Sequence, residues 1–248
     1  MVENIVSIIP ARSGSKSIKD KNIIKIGNHP LIAYSIALSL SVTLIKRTIV
    51  STDSKKYAKI SEKYGAQVPF IRPSEISNDH STDIEFFKHF IDWTLKEDEL
   101  MPDLIVHLRP TTPLRQRSIV ENAINFMIQN SEYTSLRSVS KTHLTPYKMF
   151  KKENDLMVPF LAHTKKEFYN LPRQAFEDAY IPNGYIDIIR PTIILNEGML
   201  HGDRMKLWET PYVPDIDVLT DFEDAKKFSQ KEEFISLRTS LDSLLHSL

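Results

Sequence analysis

One stretch near the amino end decides how the rest of the chain is interpreted: Ile8-Ile9-Pro10-Ala11-Arg12-Ser13-Gly14-Ser15-Lys16-Ser17-Ile18-Lys19-Asp20-Lys21-Asn22. The apolar residues before Pro10 predict a buried strand that ends at this proline. The residues after it are mostly small, polar or cationic, so an anion can reach backbone N–H groups among positive charges. Open α/β sheets bind ligands beyond the carboxyl ends of their strands, which makes a phosphate-rich ligand the first hypothesis. On composition alone, a solvated basic turn explains the stretch equally well.

Two widespread phosphate-binding loops do not fit these letters. A P-loop aligned on Lys16 and Ser17 needs glycine at the positions of Pro10 and Ser15. The dinucleotide-binding fingerprint needs three spaced glycines, and this loop has only Gly14. The loop is therefore of a different kind.

Length and composition restrict the class of protein. The 248 residues can build one sizeable α/β domain with a small insertion, and we treat residues 1–248 as one domain. Lysine plus arginine number 32, as do aspartate plus glutamate, so no global charge attracts nucleic acid or a membrane surface. The absence of cysteine excludes disulfides, thiol nucleophiles and thiolate metal sites. No apolar run resembles a signal peptide or is long enough to span a bilayer, so we expect a cytoplasmic protein.

Strand and helix patterns alternate along most of the chain. Apolar runs predict strands at residues 5–9, 47–52, 68–71, 103–108, 133–139 and 185–189. Capping boxes predict helices that begin at Thr82, Ser118 and Thr220. This alternation predicts a doubly wound, mostly parallel α/β sheet of the Rossmann-like kind. Residues 140–180 lack the pattern, and we expect hairpin-like excursions there that cover a ligand or a second subunit.

A polar loop follows the strand expected at residues 68–71. It contains Arg72, Asp79 and Ser81. An arginine in such a loop can donate hydrogen bonds to the acceptor atoms of a ligand. A surface ion pair between Arg72 and Glu75 is the alternative interpretation.

Another motif follows the expected central strand and reads Leu108-Arg109-Pro110-Thr111-Thr112-Pro113-Leu114-Arg115. Its prolines restrict the backbone, and its arginines flank the crevice where α/β sheets bind ligands. Arg115 can equally face solvent. Further along, Arg173 can pair with both oxygens of a carboxylate through its planar fork.

The segment Asp215-Ile216-Asp217 presents two carboxylates. In an extended chain, residues two apart point the same way, so both acids face one site while Ile216 faces the core. Paired carboxylates suit Mg²⁺, which takes hard oxygen ligands and bridges to phosphates. A solvated surface pair is the alternative for Asp-x-Asp taken alone.

These motifs together resemble those of the nucleotide-sugar cytidylyltransferases. Ile9-Pro10-Ala11-Arg12-x-Gly14-Ser15-Lys16 followed by Lys21-Asn22 resembles the signature loop of the branch that makes CMP-sialic acid. The other motifs resemble that branch in the same chain order, with Arg109 at a glutamine position, Tyr185 at an alanine position and Asp187 at a tyrosine position. The resemblance implies the doubly wound fold with a small dimerisation insertion at residues 140–180.

The resemblance also implies a reaction and a set of site residues. CTP and a nine-carbon 2-keto-3-deoxy sugar acid would give a CMP-sugar and pyrophosphate, with Mg²⁺ held by Asp215 and Asp217 and with a homodimer as the working unit. Catalytic roles fall to Arg12, Lys16 and Lys21. Residues implied for the nucleotide are Ala11, Arg12, Ser13, Gly14, Ser15, Lys16, Lys21, Asn22, Arg72, Asp79 and Ser81. Residues implied for the sugar are Arg109, Thr111, Tyr147, Arg173, Gln174 and Tyr185.

Two other functions stay open at this point. One is a nucleotidyltransferase that uses another base or another sugar, such as a 3-deoxy-octulosonate. The other is a nucleotide-binding module that does no chemistry and would bind CTP without releasing pyrophosphate. The Asp-x-Asp segment favours an enzyme, because binding alone has little use for a metal site.

Overall fold

The computed structural model describes residues 2–97 and 100–246. The strands are β1 (Ile5–Pro10), β2 (Lys25–Ile26), β3 (His29–Pro30), β4 (Arg47–Ser51), β5 (Leu104–His107), β6 (Ser135–Thr142), β7 (Phe150–Glu153), β8 (Leu156–Pro159), β9 (Ala179–Ile189) and β10 (Met205–Glu209). The α-helices are α1 (Leu31–Ser41), α2 (Lys55–Lys63), α3 (Asp83–Glu97), α4 (Arg117–Gln129), α5 (Pro191–Glu197), α6 (Leu219–Phe228) and α7 (Ile235–His246).

The central sheet has the strand order β10-β6-β9-β5-β1-β4. β1 pairs in parallel with β4 and β5, and β10 pairs in parallel with β6, whereas β9 runs antiparallel between β5 and β6. The prediction of a doubly wound, mostly parallel sheet is therefore confirmed. Because the chain places β4 on one side of β1 and β5 on the other, the strand order reverses beside β1. Ligands of such sheets bind at this switch point.

β1 lies at the centre of the hydrophobic core. Ile5, Val6, Ile8 and Ile9 are all buried, because helices cover both faces of the sheet and both sets of alternating side chains need an apolar environment. Ile5 and Ile9 pack with α1, α4 and α7, whereas Val6 and Ile8 pack with α3 and α5 on the opposite face. No helix among the described residues is long and apolar enough to cross a membrane.

The first two predicted capping boxes have different outcomes. At α3, the backbone N–H of Thr82 donates to the Glu85 carboxylate, which is one half of the predicted box. The other half differs, because the Glu85 N–H donates to the Thr82 carbonyl and not to its hydroxyl. The box predicted at Ser118 is wrong. α4 begins one residue earlier, at Arg117, and the Arg117 side chain pairs with Glu121 across one turn.

The box predicted at Thr220 is also wrong. α6 begins at Leu219, and the Asp221 carboxylate accepts hydrogen bonds from the backbone N–H groups of Asp217 and Val218, at 2.9 Å each. These bonds satisfy donors that the helix itself cannot pair. They also fix the backbone at the end of the Asp-x-Asp segment.

Two irregular regions complete the fold. The strand predicted at residues 68–71 does not form; single parallel bridges join Gln67 to Ile49 and Ile71 to Thr52. Within residues 140–180, β7 and β8 form an antiparallel hairpin outside the central sheet, as the sequence predicts.

Candidate active site

A cavity of about 430 Å³ opens where β1 and β5 end, at the switch point of the sheet. The residues predicted for the nucleotide that line it are Arg12, Ser15, Lys16, Lys21, Asn22, Arg72, Asp79 and Ser81. Of the residues predicted for the sugar, Arg109 and Thr111 line it. The sheet therefore brings together motifs that are about a hundred residues apart in the chain.

Three loop residues predicted for the nucleotide lie outside the cavity lining. Ala11 is buried, and its N–H donates to the Ser51 carbonyl at 2.9 Å. The Ser13 N–H and hydroxyl both donate to the Asp53 carboxylate, at 2.7 and 2.6 Å. Gly14 has a φ of 75°, a conformation that glycine adopts without strain. These residues shape the loop, and Asp53 is a partner that sequence reasoning missed.

Asp79 holds two of the loop cations. Its carboxylate accepts from Arg12 at 2.9 Å and from Lys16 at 2.5 Å. Hydrogen bonds from Lys16 and from Arg12 lower the pKa of Asp79 below its ordinary value. The Asn22 side chain donates to the Arg12 carbonyl at 2.9 Å, which fixes the backbone that carries this arginine. Arg12 and Lys16 are therefore neutralised by a single exposed carboxylate, that of Asp79, which a polyphosphate ligand would replace.

The Asp-x-Asp segment reaches the loop from the far end of the chain. Lys21 Nζ lies 3.0 Å from Asp217 Oδ1, and the Thr112 hydroxyl donates to Asp215 Oδ1 at 3.1 Å. Ile216 is fully buried, and its N–H donates to the Thr111 carbonyl at 2.8 Å. Asp217 therefore lies beside the predicted phosphate loop and Asp215 beside the turn that follows β5, and both lie outside the cavity lining.

This donor set fits a shared Mg²⁺ ion better than an ion enclosed by protein alone. Mg²⁺ is usually held by one or two carboxylates, with phosphates and water as its other ligands. Asp215 and Asp217 supply two hard oxygen donors next to the loop. Among the described residues, no group of three or more histidine and acidic side chains is arranged to hold a metal ion.

Arg72 lies in the wall of the cavity and is buried, so the predicted alternative of a surface pair with Glu75 is wrong. Its Nε donates to the Ser51 hydroxyl at 3.0 Å, and Nη2 donates to the Ser51 carbonyl. Its guanidinium lies 5.2 Å from the centre of the Phe86 ring. Burial lowers the pKa of Arg72 to about 10. Two of its three nitrogen atoms are therefore used within the protein.

Arg109 is held by two carboxylates that the sequence did not reveal as partners. Its Nη1 donates to Asp187 at 2.7 Å and its Nη2 to Asp83 at 2.8 Å. Burial opposes the charge of each acid, but the cation of Arg109 holds the pKa values of Asp83 and Asp187 below their ordinary range. Burial likewise opposes the charge of Arg109, but both carboxylates outweigh it and raise its pKa. The guanidinium of Arg109 thus connects Asp83, which lines the cavity, to Asp187, which is deeply buried.

His107 lies beneath this ion pair and stays uncharged. It is fully buried, with the edges of the Phe86 and Phe87 rings against it. Burial lowers its pKa, and the charge of Arg109 acts in the same direction. The sheet register places His107 opposite Asp187 on the neighbouring strand, which explains why these polar groups meet in the core.

Arg115 and Gly184 hold the walls of the cavity together. Arg115 is 1% exposed, so the interpretation that it faces solvent is wrong. Its Nη2 donates to the carbonyls of Arg109 and Gly184, at 2.8 and 3.1 Å. Gly184 has a φ of 67°, and a Cβ there would lie 2.8 Å from the Thr112 hydroxyl oxygen. Only glycine permits this approach between β9 and the turn after β5.

The other residues predicted for the sugar lie outside the cavity lining. Tyr185 is buried in the core, and its oxygen accepts from the backbone N–H of Gln116. Tyr147 stacks on Phe176 with the ring centres 5.2 Å apart.

The predicted carboxylate partner, Arg173, uses its Nε and Nη2 within the protein. They donate to the carbonyls of His143 and Thr142, at 3.2 and 3.0 Å. Gln174 is exposed beside it. Both residues belong to the irregular region outside the central sheet.

The doubly wound sheet and the cation-lined cavity at its switch point define an α/β protein with its ligand site beyond the carboxyl ends of the strands. More narrowly, the chain belongs to the cytidylyltransferase family, whose profile matches residues 6–239. This confirms the family indicated by the sequence motifs.

Individual relatives agree with this assignment. The N-acylneuraminate cytidylyltransferase of Escherichia coli is 29% identical over 239 residues, which are 94% of this chain and 54% of that protein. The pseudaminic acid cytidylyltransferase of Campylobacter jejuni is 28% identical over 221 residues, 88% of this chain and 93% of that protein. The chain thus spans about half the length of the first relative and nearly all of the second.

A solved structure supports the fold. The structure of CMP:2-keto-3-deoxy-manno-octonic acid synthetase complexed with CTP aligns with a TM-score of 0.65 at 14% identity, covering 91% of this chain and 98% of that chain.

Proposed function

We propose that this protein activates a nine-carbon 2-keto-3-deoxy sugar acid with CTP, giving the CMP-sugar and pyrophosphate. The observation that carries the proposal is the contact between Lys21, a loop cation that lines the cavity, and Asp217 of the Asp-x-Asp segment, at 3.0 Å. Membership of the cytidylyltransferase family supports the use of CTP. The relatives named above, which act on N-acylneuraminate and pseudaminic acid, support a sugar acid of nine carbons.

In the proposed complex, the triphosphate lies over the loop that follows β1. Arg12 can grip two phosphate oxygens with its fork, and Lys16 supplies a compact charge beside it. Both must leave Asp79, which now binds them. Backbone groups near Ser15 and Gly14 are open to the phosphates because their side chains are small.

The chemistry is one displacement at the α-phosphorus of CTP. The anomeric oxygen of the sugar forms a bond to that phosphorus, loses its proton, and the bond between the α-phosphorus and the bridging oxygen breaks. Negative charge grows on the departing pyrophosphate, and Arg12, Lys16 and Lys21 stabilise it. No covalent intermediate with the protein is needed.

Asp215 and Asp217 are the residues that would hold Mg²⁺. The bound ion would supply positive charge to the phosphates and Lewis acidity toward the attacking hydroxyl. Lys21 is already paired with Asp217, so the residue that neutralises the phosphates is positioned by the acid proposed to bind the metal.

The first test measures pyrophosphate release from CTP with Mg²⁺ and a panel of nine-carbon sugar acids. We expect release with at least one acid, and a fall in kcat of about 100-fold or more in Lys21→Ala, because an interaction made in the transition state is lost. Lys25→Ala is the matched control, since Lys25 is exposed and does not line the cavity. Unchanged turnover in Lys21→Ala, or no release with any acid, would contradict the proposal.

We also propose that the working unit is a homodimer in the cytoplasm, where nucleoside triphosphates are available. The hairpin of β7 and β8 supports this, because Leu156 and Met157 are 70% and 73% exposed at its turn and Phe160 is exposed nearby. Exposed apolar side chains on an excursion from the sheet are typical of a contact surface.

Light scattering tests the dimer. We expect a mass twice the 28.6 kDa of the chain, and a monomer for the double variant Leu156→Glu and Met157→Glu, which would place charge in the contact. Leu95→Glu, on the exposed face of α3, is the control and should leave the mass unchanged. A monomeric wild type, or a double variant that stays dimeric, counts against this surface.

A further inference from the structure

Asp83 is an acid in the wall of the cavity that none of the predicted roles includes. It is the first residue of α3, with its side chain 43% exposed, and it lines the cavity close to Arg72 and Phe86. Its Oδ2 accepts from Arg109 Nη2 at 2.8 Å. A carboxylate can accept several hydrogen bonds, so its other oxygen keeps accepting capacity for a ligand.

The ion pair with Arg109 fixes this carboxylate in place. Arg109 is itself anchored by Asp187, whose side chain is 1% exposed and accepts from Nη1 at 2.7 Å. Each Nη atom of Arg109 thus holds one carboxylate, which fixes the guanidinium between Asp83 and Asp187. The group that a ligand meets here is therefore an ionised acceptor held by a rigid support.

The surroundings of Asp83 match the needs of a pyrimidine base. Phe86 supplies an apolar ring, Arg72 a donor and Asp83 an acceptor, all in one wall. The loop cations Arg12 and Lys16, which suit the phosphates, come from another segment that also lines the cavity. A site with one apolar surface and a few fixed polar groups orients a ligand of this kind.

We propose, on the basis of the function proposed above, that Asp83 accepts a hydrogen bond from the exocyclic amine of cytosine and so makes the protein select CTP over UTP. Uracil carries a carbonyl oxygen where cytosine carries the amine, and that oxygen would face the carboxylate with no hydrogen between them. Arg109 and Asp187 act through Asp83 by holding its carboxylate in position. A site built around a hydrogen bond rejects the analogue that cannot make it, because the polar group is then left unpaired.

The test is the ratio of kcat/KM for CTP to that for UTP, measured by pyrophosphate release with the best sugar acid. In Asp83→Asn we expect this ratio to fall about 10- to 100-fold, because the amide can donate to the uracil carbonyl as well as accept from the amine. Asp187→Asn should lower the ratio by a smaller factor. A general loss of stability would lower the rates with CTP and UTP equally and leave the ratio unchanged. Asp92→Asn, an exposed acid on the same helix, is the control and should leave the ratio unchanged.

Calorimetric titration with CTP and with UTP, in the absence of sugar acid, separates the two proposals. If wild type binds CTP in preference to UTP and Asp83→Asn keeps the same preference, the role of Asp83 is overturned while the enzyme stands. If wild type binds neither nucleotide and releases no pyrophosphate, the proposed function itself fails. Should Asp83→Asn not fold, Asp83→Ser also removes the carboxylate, and an unchanged preference in it would overturn the role equally.

Discussion

Arg115 lies in the core with every nitrogen of its side chain engaged. Nη1 donates to the Ser35 hydroxyl at 3.1 Å, Nε donates to the Tyr185 carbonyl, and Nη2 donates to the two cavity-wall carbonyls of Arg109 and Gly184. Burial lowers the pKa of Arg115 to about 9. Burying a cation has a high cost in free energy, and these acceptors offset it.

Replacing Arg115 with methionine, which has a similar length and no donors, should lower the free energy of unfolding by about 3 kcal/mol or more, because several buried carbonyls lose their partner. Urea denaturation measures the change. Arg117→Met is the matched control, since Arg117 is half exposed and only pairs with Glu121; its effect should stay within about 0.5 kcal/mol. Equal losses in the two variants would show that Arg115 is not a structural anchor.

Secondary structure was predictable where a pattern lies within one element. The apolar run of β1 and the helix start predicted at Thr82 each depend on nearby letters, and both predictions are correct to within a residue. The box at Ser118 failed because Glu121 also lies one turn from Arg117, and the ion pair formed instead of the cap. The sequence around Glu121 does not decide whether its carboxylate caps the helix at Ser118 or pairs with Arg117.

Those site residues that lie in short motifs could also be predicted from the sequence. Loop residues such as Lys16 and the pair Asp215 and Asp217 carry their chemistry in short motifs, and the switch-point rule indicates that such motifs meet. The pairing of Arg109 with Asp187 could not be predicted, because it depends on β9 running antiparallel beside β5. An alternation of strands and helices predicts parallel neighbours. It gives no sign that β9 pairs antiparallel between β5 and β6.

At the scale of the whole molecule, one buried and two partly buried histidines make stability depend on pH. Burial lowers the pKa values of His89, His107 and His201 below their ordinary value of 6.5. In the unfolded chain they bind protons near that value. As the pH falls below it, the unfolded state takes up protons that the folded state does not, so the free energy of unfolding decreases.

The two acids paired with Arg109 act in a different range of pH. The pKa values of Asp83 and Asp187 lie below their ordinary value of 3.8, so the stability that they contribute is complete above that value. It is lost only as the pH falls further, through their folded-state values. The loss of stability between about pH 7 and about pH 5 therefore belongs mainly to the histidines.

His107→Gln tests this account, because glutamine keeps a polar side chain and cannot take up the proton. Wild type should lose stability between about pH 7 and about pH 5, by at most about 1.4 kcal/mol per pH unit for each histidine, and the variant should lose less. The measurement is urea denaturation at both pH values, compared as a difference within each protein. His80→Gln, at an exposed position, should behave as wild type. If His107→Gln loses as much stability as wild type, His107 is protonated inside the fold and its buried, uncharged state is wrong.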